Sequence, residues 1–201
     1  MIMYKRHKVF ISYHHNGNEH VWNHKDSDYR DRFERMCSRD FDIMISKAVQ
    51  DGDIPSDSSP DNTHRIIRDE YLRDSTVTIV LIGNDTWRRK HVDWEISSSL
   101  RNTQYNPRSG MIGILLPTFI SKEWHLGNLK NNHYEVNNLP YYSVDKNTIP
   151  ERLAMNLDNG FAKLYNWTEN PYEIQQWIHD AFERRNKVTP DNSLPMYKRN
   201  R

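Results

Sequence analysis

Residues 75–96 read STVTIVLIGNDTWRRKHVDWEI, which is a buried strand followed by a polar loop and then a helix. The run Val77–Ile82 is rich in β-branched residues and apolar on both faces, as is typical of a central parallel strand. Gly83, Asn84 and Asp85 then stop the strand with turn-forming residues. Because open α/β sheets bind ligands where a strand passes into a helix, this segment predicts both the fold class and the place of a site.

The helix after the loop carries one carboxylate beside its apolar stripe. Val92, Ile96 and Leu100 recur at helical spacing, and Glu95 lies one step off that stripe, next to Ser99 on the helix surface. An acid in this position can be half-buried at the rim of a cleft, where a desolvated carboxylate is typical of functional sites. The alternative is an ordinary surface glutamate near the basic residues that precede it.

Composition limits the classes of function. A chain of 201 residues suits one well-buried core, which predicts a single domain over residues 1–185. The 28 Lys and Arg nearly balance the 27 Asp and Glu, so no overall charge favours nucleic acid or an acidic membrane. The single cysteine, Cys37, is expected in the core of a protein from a reducing compartment. Without an apolar run of about 20 residues, we expect a soluble cytoplasmic protein.

The other elements extend the same alternation of strands and helices. Apolar runs at 9–13 and 111–116 predict further buried strands, and residues 161–165 predict an edge strand. Residues 41–45 fit either a short strand or part of a helix. The pattern predicts an α/β fold with a doubly wound sheet of about five mostly parallel strands and helices on both faces.

The C-terminal half contains one regular element between two regions without periodicity. Residues 118–160 predict an irregular insertion over the sheet edge, packed by aromatic rings. The last helix is marked by Asn170 as its cap and Pro171 at its first position. Residues 186–201 are basic and poor in apolar residues, which predicts a disordered tail.

Ser12, Tyr13 and His14 end the first strand, where side chains face a crevice ligand, and are candidate substrate contacts. The Tyr13 ring could stack on a base or fill the seam between strand and helix. The histidine cluster His14, His15, His20 and His24 raises the question of a metal, since the last two are one helical turn apart. No strictly spaced carboxylate or cysteine accompanies them, so the pattern favours loop histidines and no metal site.

Asn84, Trp87 and His91 lie between the central strand and Glu95 and are further candidates for substrate binding. Asn84 could instead cap the following helix, as could Asp85. The basic run 88–90 could meet a pyrophosphate at the helix start, or form a solvated turn.

Residues 9–13 together with 75–96 resemble the TIR domain, in particular the divergent TIR-like proteins of the bacterial Thoeris antiphage system. In enzymatic TIR domains a glutamate on the helix after the third strand is catalytic, and the Thoeris group carries Trp-Val-x-x-Glu-Ile there. The resemblance implies a flavodoxin-like fold and gives this role to Glu95. His91 stands where the family has tryptophan. Residues 51–62 differ from the usual compact loop that takes part in homotypic assembly.

The resemblance implies cleavage of NAD at its nicotinamide ribosyl bond, with NAD as the substrate and no cofactor. It further implies a cyclic ADP-ribose isomer as product, which signals to a separate effector protein. The alternative is a non-catalytic TIR module that acts through protein association. The product linkage, the phage trigger and the oligomeric state stay open.

Overall fold

A computed structural model describes residues 5–14, 24–47, 62, 66–103 and 107–201. Its main sheet is five-stranded, with the order β2-β1-β3-β4-β8 and every pair parallel. This order is that of flavodoxin-like doubly wound folds, so the predicted fold class is confirmed. The strands are β1 (His7–Ser12), β2 (Met44–Ser46), β3 (Val77–Ile82), β4 (Gly110–Leu115) and β8 (Ala162–Asn166).

Helices cover both faces of this sheet, as predicted. The α-helices of the described residues are α1 (Asp26–Glu34), α2 (Lys90–Leu100), α3 (Glu151–Asp158) and α4 (Pro171–Arg184). Shorter turns of π or 3₁₀ helix lie at Arg35–Asp40, Ile67–Leu72, Thr86–Arg88 and Lys146–Thr148. Each of these described α-helices is too short or too polar to cross a bilayer.

Strand β3 shows why the sheet is buried on both sides. All of its residues are buried, and they alternate between the core clusters on the two faces. Ile79 and Leu81 pack on the α1 and α4 side, in the cluster that also holds Cys37. Val80 and Ile82 pack on the α2 and α3 side. The continuous apolar run of this strand is therefore explained by its central place.

Helix α4 begins as its sequence predicts. The Asn170 side chain accepts a hydrogen bond from the Tyr172 amide at 3.1 Å, and Pro171 occupies the first helical position. The helix lies close against β4, since a Cβ at Gly110 would be 2.1 Å from the Ala181 carbonyl oxygen. Glycine at this point of β4 is therefore required by the close approach of the helix.

The region 118–160 is more regular than the sequence predicts. It forms a three-stranded antiparallel sheet and helix α3, with the strands β5 (Lys122–Trp124), β6 (His133–Glu135) and β7 (Tyr142–Asp145). Aromatic packing is present as expected, since Trp124 contacts the rings of Tyr141 and Tyr142. Strands of three or four residues are too short to show an alternating pattern, which explains the wrong prediction of irregular structure.

The prediction of a disordered tail at 186–201 is also wrong. This segment packs against α2 and α3, and Tyr197 is buried within it. The contacts are mainly hydrogen bonds to buried polar and charged groups, notably Arg152 and Asp93. A composition poor in apolar residues predicts disorder only when apolar burial is the main source of stability.

A candidate active site at the carboxyl edge of the sheet

Glu95 lies in the second turn of α2 with only 6% of its surface exposed. The Ser12 hydroxyl, at the last residue of β1, donates a hydrogen bond of 2.5 Å to Glu95 Oε2. Since β1 pairs with β3, the strand that leads into α2, the sheet topology brings the two side chains together. The carboxylate therefore lies in a buried polar seam between sheet and helix.

A chain of hydroxyl groups fixes α2 to the sheet below Glu95. Thr78 Oγ1 on β3 donates to Ser99 Oγ at 2.8 Å, and Ser99 Oγ donates to the Glu95 carbonyl oxygen at 2.8 Å. All of these groups are buried, so their hydrogen bonds are costly to lose and they define the position of the helix. Ser99 on this helix face is thus explained by its polar contacts in the seam.

Burial raises the pKa of Glu95 from its usual value near 4.5 to about 8, and the Ser12 hydrogen bond acts in the opposite direction. Desolvation is the larger cause because it disfavours the charged form. The free protein therefore holds this carboxyl group mainly protonated at neutral pH. A cation bound nearby would favour its ionised form.

Histidine side chains extend the site from Glu95 toward the end of β1. His91 lies one helical turn before Glu95, and its Nε2 is 3.3 Å from the Tyr13 carbonyl oxygen. The His14 ring is buried, with its centroid 6.1 Å from that of His91. The structure therefore brings Ser12, His14 and His91 to the same end of α2 as Glu95.

Tyr13 points to the other face of β1. Its ring is buried in the same core cluster as Val9 and Ile11, and its hydroxyl accepts a hydrogen bond of 3.1 Å from Arg30. The Arg30 guanidinium lies 5.0 Å from the ring centroid and covers it. Of the two interpretations of Tyr13, this geometry favours the packing one.

The loop after β3 is arranged differently from the sequence expectation. Neither Asn84 nor Asp85 caps α2, because the helix begins at Lys90. Asn84 and Trp87 are half-buried in the turn and the 3₁₀ segment, and among the described contacts no hydrogen bond joins either of them to Glu95. A role of Asn84 and Trp87 in substrate binding therefore stays a prediction.

The basic run at the start of α2 has protein partners. Arg88 forms an ion pair with Asp85, and the Lys90 ammonium lies 5.2 Å from the Trp94 ring centroid. The Lys90 amide donates to Asn200 Oδ1 at 3.0 Å. For Arg88 and Lys90 these contacts favour the structural interpretation over a pyrophosphate site.

Asp26 is a buried carboxylate that the sequence analysis did not identify. It begins α1 and is 1% exposed, and its Oδ1 accepts a hydrogen bond of 2.6 Å from Thr118. A Cβ at Gly83 would be 2.0 Å from Asp26 Oδ2, so the carboxylate lies directly against the end of β3. Burial raises the pKa of Asp26, as does Asp85 to a lesser extent. The polar sequence around it gave no sign of burial.

Metal binding finds no support in the described part of the chain. Those residues contain no group of three or more His, Cys, Asp or Glu side chains that could hold a metal ion. His24 Nδ1 lies 3.8 Å from Asp28 Oδ2, four residues further along the chain. His15 and His20 lie outside the described residues, as does the segment 51–62.

The family model of the Thoeris protein ThsB, TIR-like domain, matches residues 10–119, more than half of the 201-residue chain. The chain belongs to this family. The match confirms the resemblance and supports a role in antiphage defence. The matched range includes Glu95 and ends before the small antiparallel sheet and the C-terminal segment. Among curated proteins, none matches the chain.

Proposed function

We propose that this TIR-like protein cleaves the nicotinamide ribosyl bond of NAD and forms a cyclic ADP-ribose isomer that signals to a separate Thoeris effector. The observation that carries the proposal is the buried Glu95 carboxylate at the carboxyl edge of a parallel sheet, held by Ser12. NAD is the substrate, and the reaction as proposed uses no cofactor. We place the reaction in the cytoplasm, where NAD is available.

Cleavage of this bond mainly requires a negative charge close to the ribose. When the bond between ribose C1′ and nicotinamide breaks, its electron pair goes to the ring nitrogen, so nicotinamide leaves as a neutral molecule without a general acid. The ribose becomes oxocarbenium-like, and a carboxylate at this point stabilises the positive charge. The cationic nicotinamide also favours ionised Glu95, which links substrate binding to formation of the active charge state.

Cyclisation further requires that an adenine nitrogen or a ribose hydroxyl of the same molecule attacks C1′, with release of one proton. Water competes for this carbon, so the site has to exclude it. We assign water exclusion to the loop after β3, residues 83–89.

Mass spectrometry of nucleotides after incubation with NAD tests the proposal. The wild-type protein should release nicotinamide and form a cyclic ADP-ribose isomer, if necessary with extract from infected cells. Glu95→Gln should fold normally and lose about 10²-fold or more in turnover, because it removes the charge that stabilises the transition state. Glu135→Gln, on an exposed edge of β6, is the matched control. Near-normal turnover by folded Glu95→Gln protein would overturn the assignment.

A role through protein association is the second candidate, and one observation favours it. Four large apolar side chains are exposed in and next to the small antiparallel sheet: Trp124 and Tyr141, whose rings are in contact, together with Ile120 and Leu126. If the wild-type protein releases no nicotinamide with or without extract from infected cells, this interpretation becomes the better one.

A further inference from the structure

The segment 189–201, called the C-terminal strap below, runs across α2 and α3 and makes directed hydrogen bonds to both. Its residues lie outside the region that matches the family model. Trp94 Nε1 donates to the Tyr197 carbonyl oxygen at 2.9 Å, and the Asn156 side chain donates to the Asp191 carbonyl oxygen at 2.7 Å. The strap therefore contacts α2 at the residue directly before Glu95.

A buried ion pair joins the two helices to the strap. Arg152 on α3 is 1% exposed and donates to both carboxylate oxygens of Asp93 on α2, at 2.9 and 3.3 Å. The same guanidinium donates to Asn192 Oδ1 at 2.7 Å and to the Leu194 carbonyl oxygen at 2.9 Å. Asp93 Oδ2 also accepts from the Tyr197 amide at 3.0 Å. Both buried charges depend on the strap for part of their hydrogen bonding.

The start of α2 is held by the last residues of the strap. Arg89, which precedes the helix, provides no side-chain cap. Asn200 Oδ1 instead accepts from the Lys90 amide at 3.0 Å, and the Arg201 amide donates to the Arg88 carbonyl oxygen at 2.9 Å. An orphan amide at the start of a helix is thus satisfied by a residue far along the chain.

We propose that the C-terminal strap positions Glu95 for the reaction by fixing α2, with Arg152 and Asn200 as positioning residues. The proposal rests on the function proposed above. With the strap displaced, the first turns of α2 lose their cap and the contacts next to Glu95, so the hydrogen bond from Ser12 is no longer held in one geometry. Small displacements of a catalytic group lower turnover strongly while leaving substrate affinity almost unchanged.

The test compares Asn200→Ala with Arg199→Ala, an exposed neighbour that serves as the matched control. Hydrogen exchange of the amides at the start of α2 should become about fivefold faster in Asn200→Ala and stay at the wild-type rate in the control. Asn200→Asp keeps an acceptor oxygen and should restore wild-type exchange. A chain that ends at Tyr197 should lose about tenfold in kcat for nicotinamide release at an unchanged KM.

Wild-type exchange in Asn200→Ala, or wild-type kcat in the chain that ends at Tyr197, would overturn the proposal. A kcat that falls only in step with the unfolded fraction would also overturn it, since the strap would then only stabilise the fold. If the wild-type protein itself releases no nicotinamide, the proposed function fails, and the exchange rates alone decide whether the strap holds α2.

Discussion

Two buried residues at the carboxyl edge of the sheet, Glu95 and Tyr13, have different surroundings. Glu95 is almost completely enclosed, with Ser12 as the hydroxyl that contacts its carboxylate. The neighbouring Tyr13 is also enclosed, but among core side chains on the opposite face of β1. Ser12, the last residue of β1, therefore contacts the polar site, while Tyr13, the next residue, packs in the core. Substitutions should separate these two roles.

The stability of the protein should fall as pH rises, because of Glu95. The pKa of Glu95 is about 8 in the folded protein and about 4.5 in the unfolded chain. Between these two pH values the folded protein keeps a proton on Glu95 that the unfolded chain has lost. The contribution of Glu95 to the free energy of unfolding is then fully present below about pH 4.5 and is lost as pH rises through about 8, by roughly 5 kcal/mol in all. Glu95→Gln resembles the protonated acid and should lack this loss. Urea denaturation of both proteins at pH 5 and pH 9 measures the difference, and parallel pH profiles would contradict it.

The pH profile of activity should follow the same group. If ionised Glu95 is the active form, kcat/KM for nicotinamide release rises with pH to a plateau above about 8, since kcat/KM reports the free protein. Ser12→Ala removes the hydrogen bond that lowers the pKa, so its acidic limb should move to higher pH. Steady-state rates of both proteins between pH 5 and pH 10 test this prediction. An acidic limb at the same pH in the wild type and in Ser12→Ala would contradict it.

Tyr13→Ala should cost about 3 kcal/mol or more of unfolding free energy, because it opens a cavity in the core below β1. Nicotinamide release per folded molecule should stay near the wild-type level. Tyr13→Phe should lose only the hydrogen bond from Arg30, worth about 1 kcal/mol. Thermal unfolding and activity are measured on the same samples. A stable but inactive Tyr13→Ala protein would instead place the ring in the substrate site.

At the scale of elements, α2 depends on partners that are distant in sequence. Its inner face is fixed by the Thr78 hydroxyl of β3, and its outer face by Arg152 and the C-terminal strap. Helices of this length gain most of their stability from tertiary contacts, so losing one side should affect the whole element.

Arg152→Met should destabilise the protein by roughly 3 to 5 kcal/mol, because it leaves the Asp93 carboxylate buried without its cation. The double variant Arg152→Met with Asp93→Asn removes both charges and should recover part of this loss. Chemical denaturation of the two single variants and the double variant gives the coupling energy. Additive losses would show that the ion pair contributes little beyond packing.

At the scale of the whole molecule, the sequence predicts those parts whose stability comes from long apolar runs. The strand Val77–Ile82 and the helix bearing Glu95 were visible because burial on both faces and helical periodicity leave strong patterns. Asp26 was missed because its burial comes from Gly83 and Thr118, which are distant in sequence. Buried polar contacts between distant segments leave no local pattern.

The same limit explains the errors in the C-terminal half. The small antiparallel sheet consists of strands too short for periodicity. The C-terminal strap docks partly through backbone carbonyl groups that any sequence carries, and partly through the asparagine side chains Asn192 and Asn200. The flavodoxin-like strand order could be predicted because alternating strands and helices allow few topologies. The cap of α2 could not be predicted, because Asn200 lies 110 residues from Lys90 in the sequence.

That separation of 110 residues also has a consequence for synthesis on the ribosome. At roughly 5 to 20 residues per second, Asn200 is made about 5 to 20 s after Lys90. Near the end of this interval, once Asn166 has been made, the nascent chain contains all five strands of the main sheet, but the helix that carries Glu95 still has no partner for its first amide. If the C-terminal strap positions Glu95 as proposed, a nascent chain acquires its activity only after Asn200 has joined the fold.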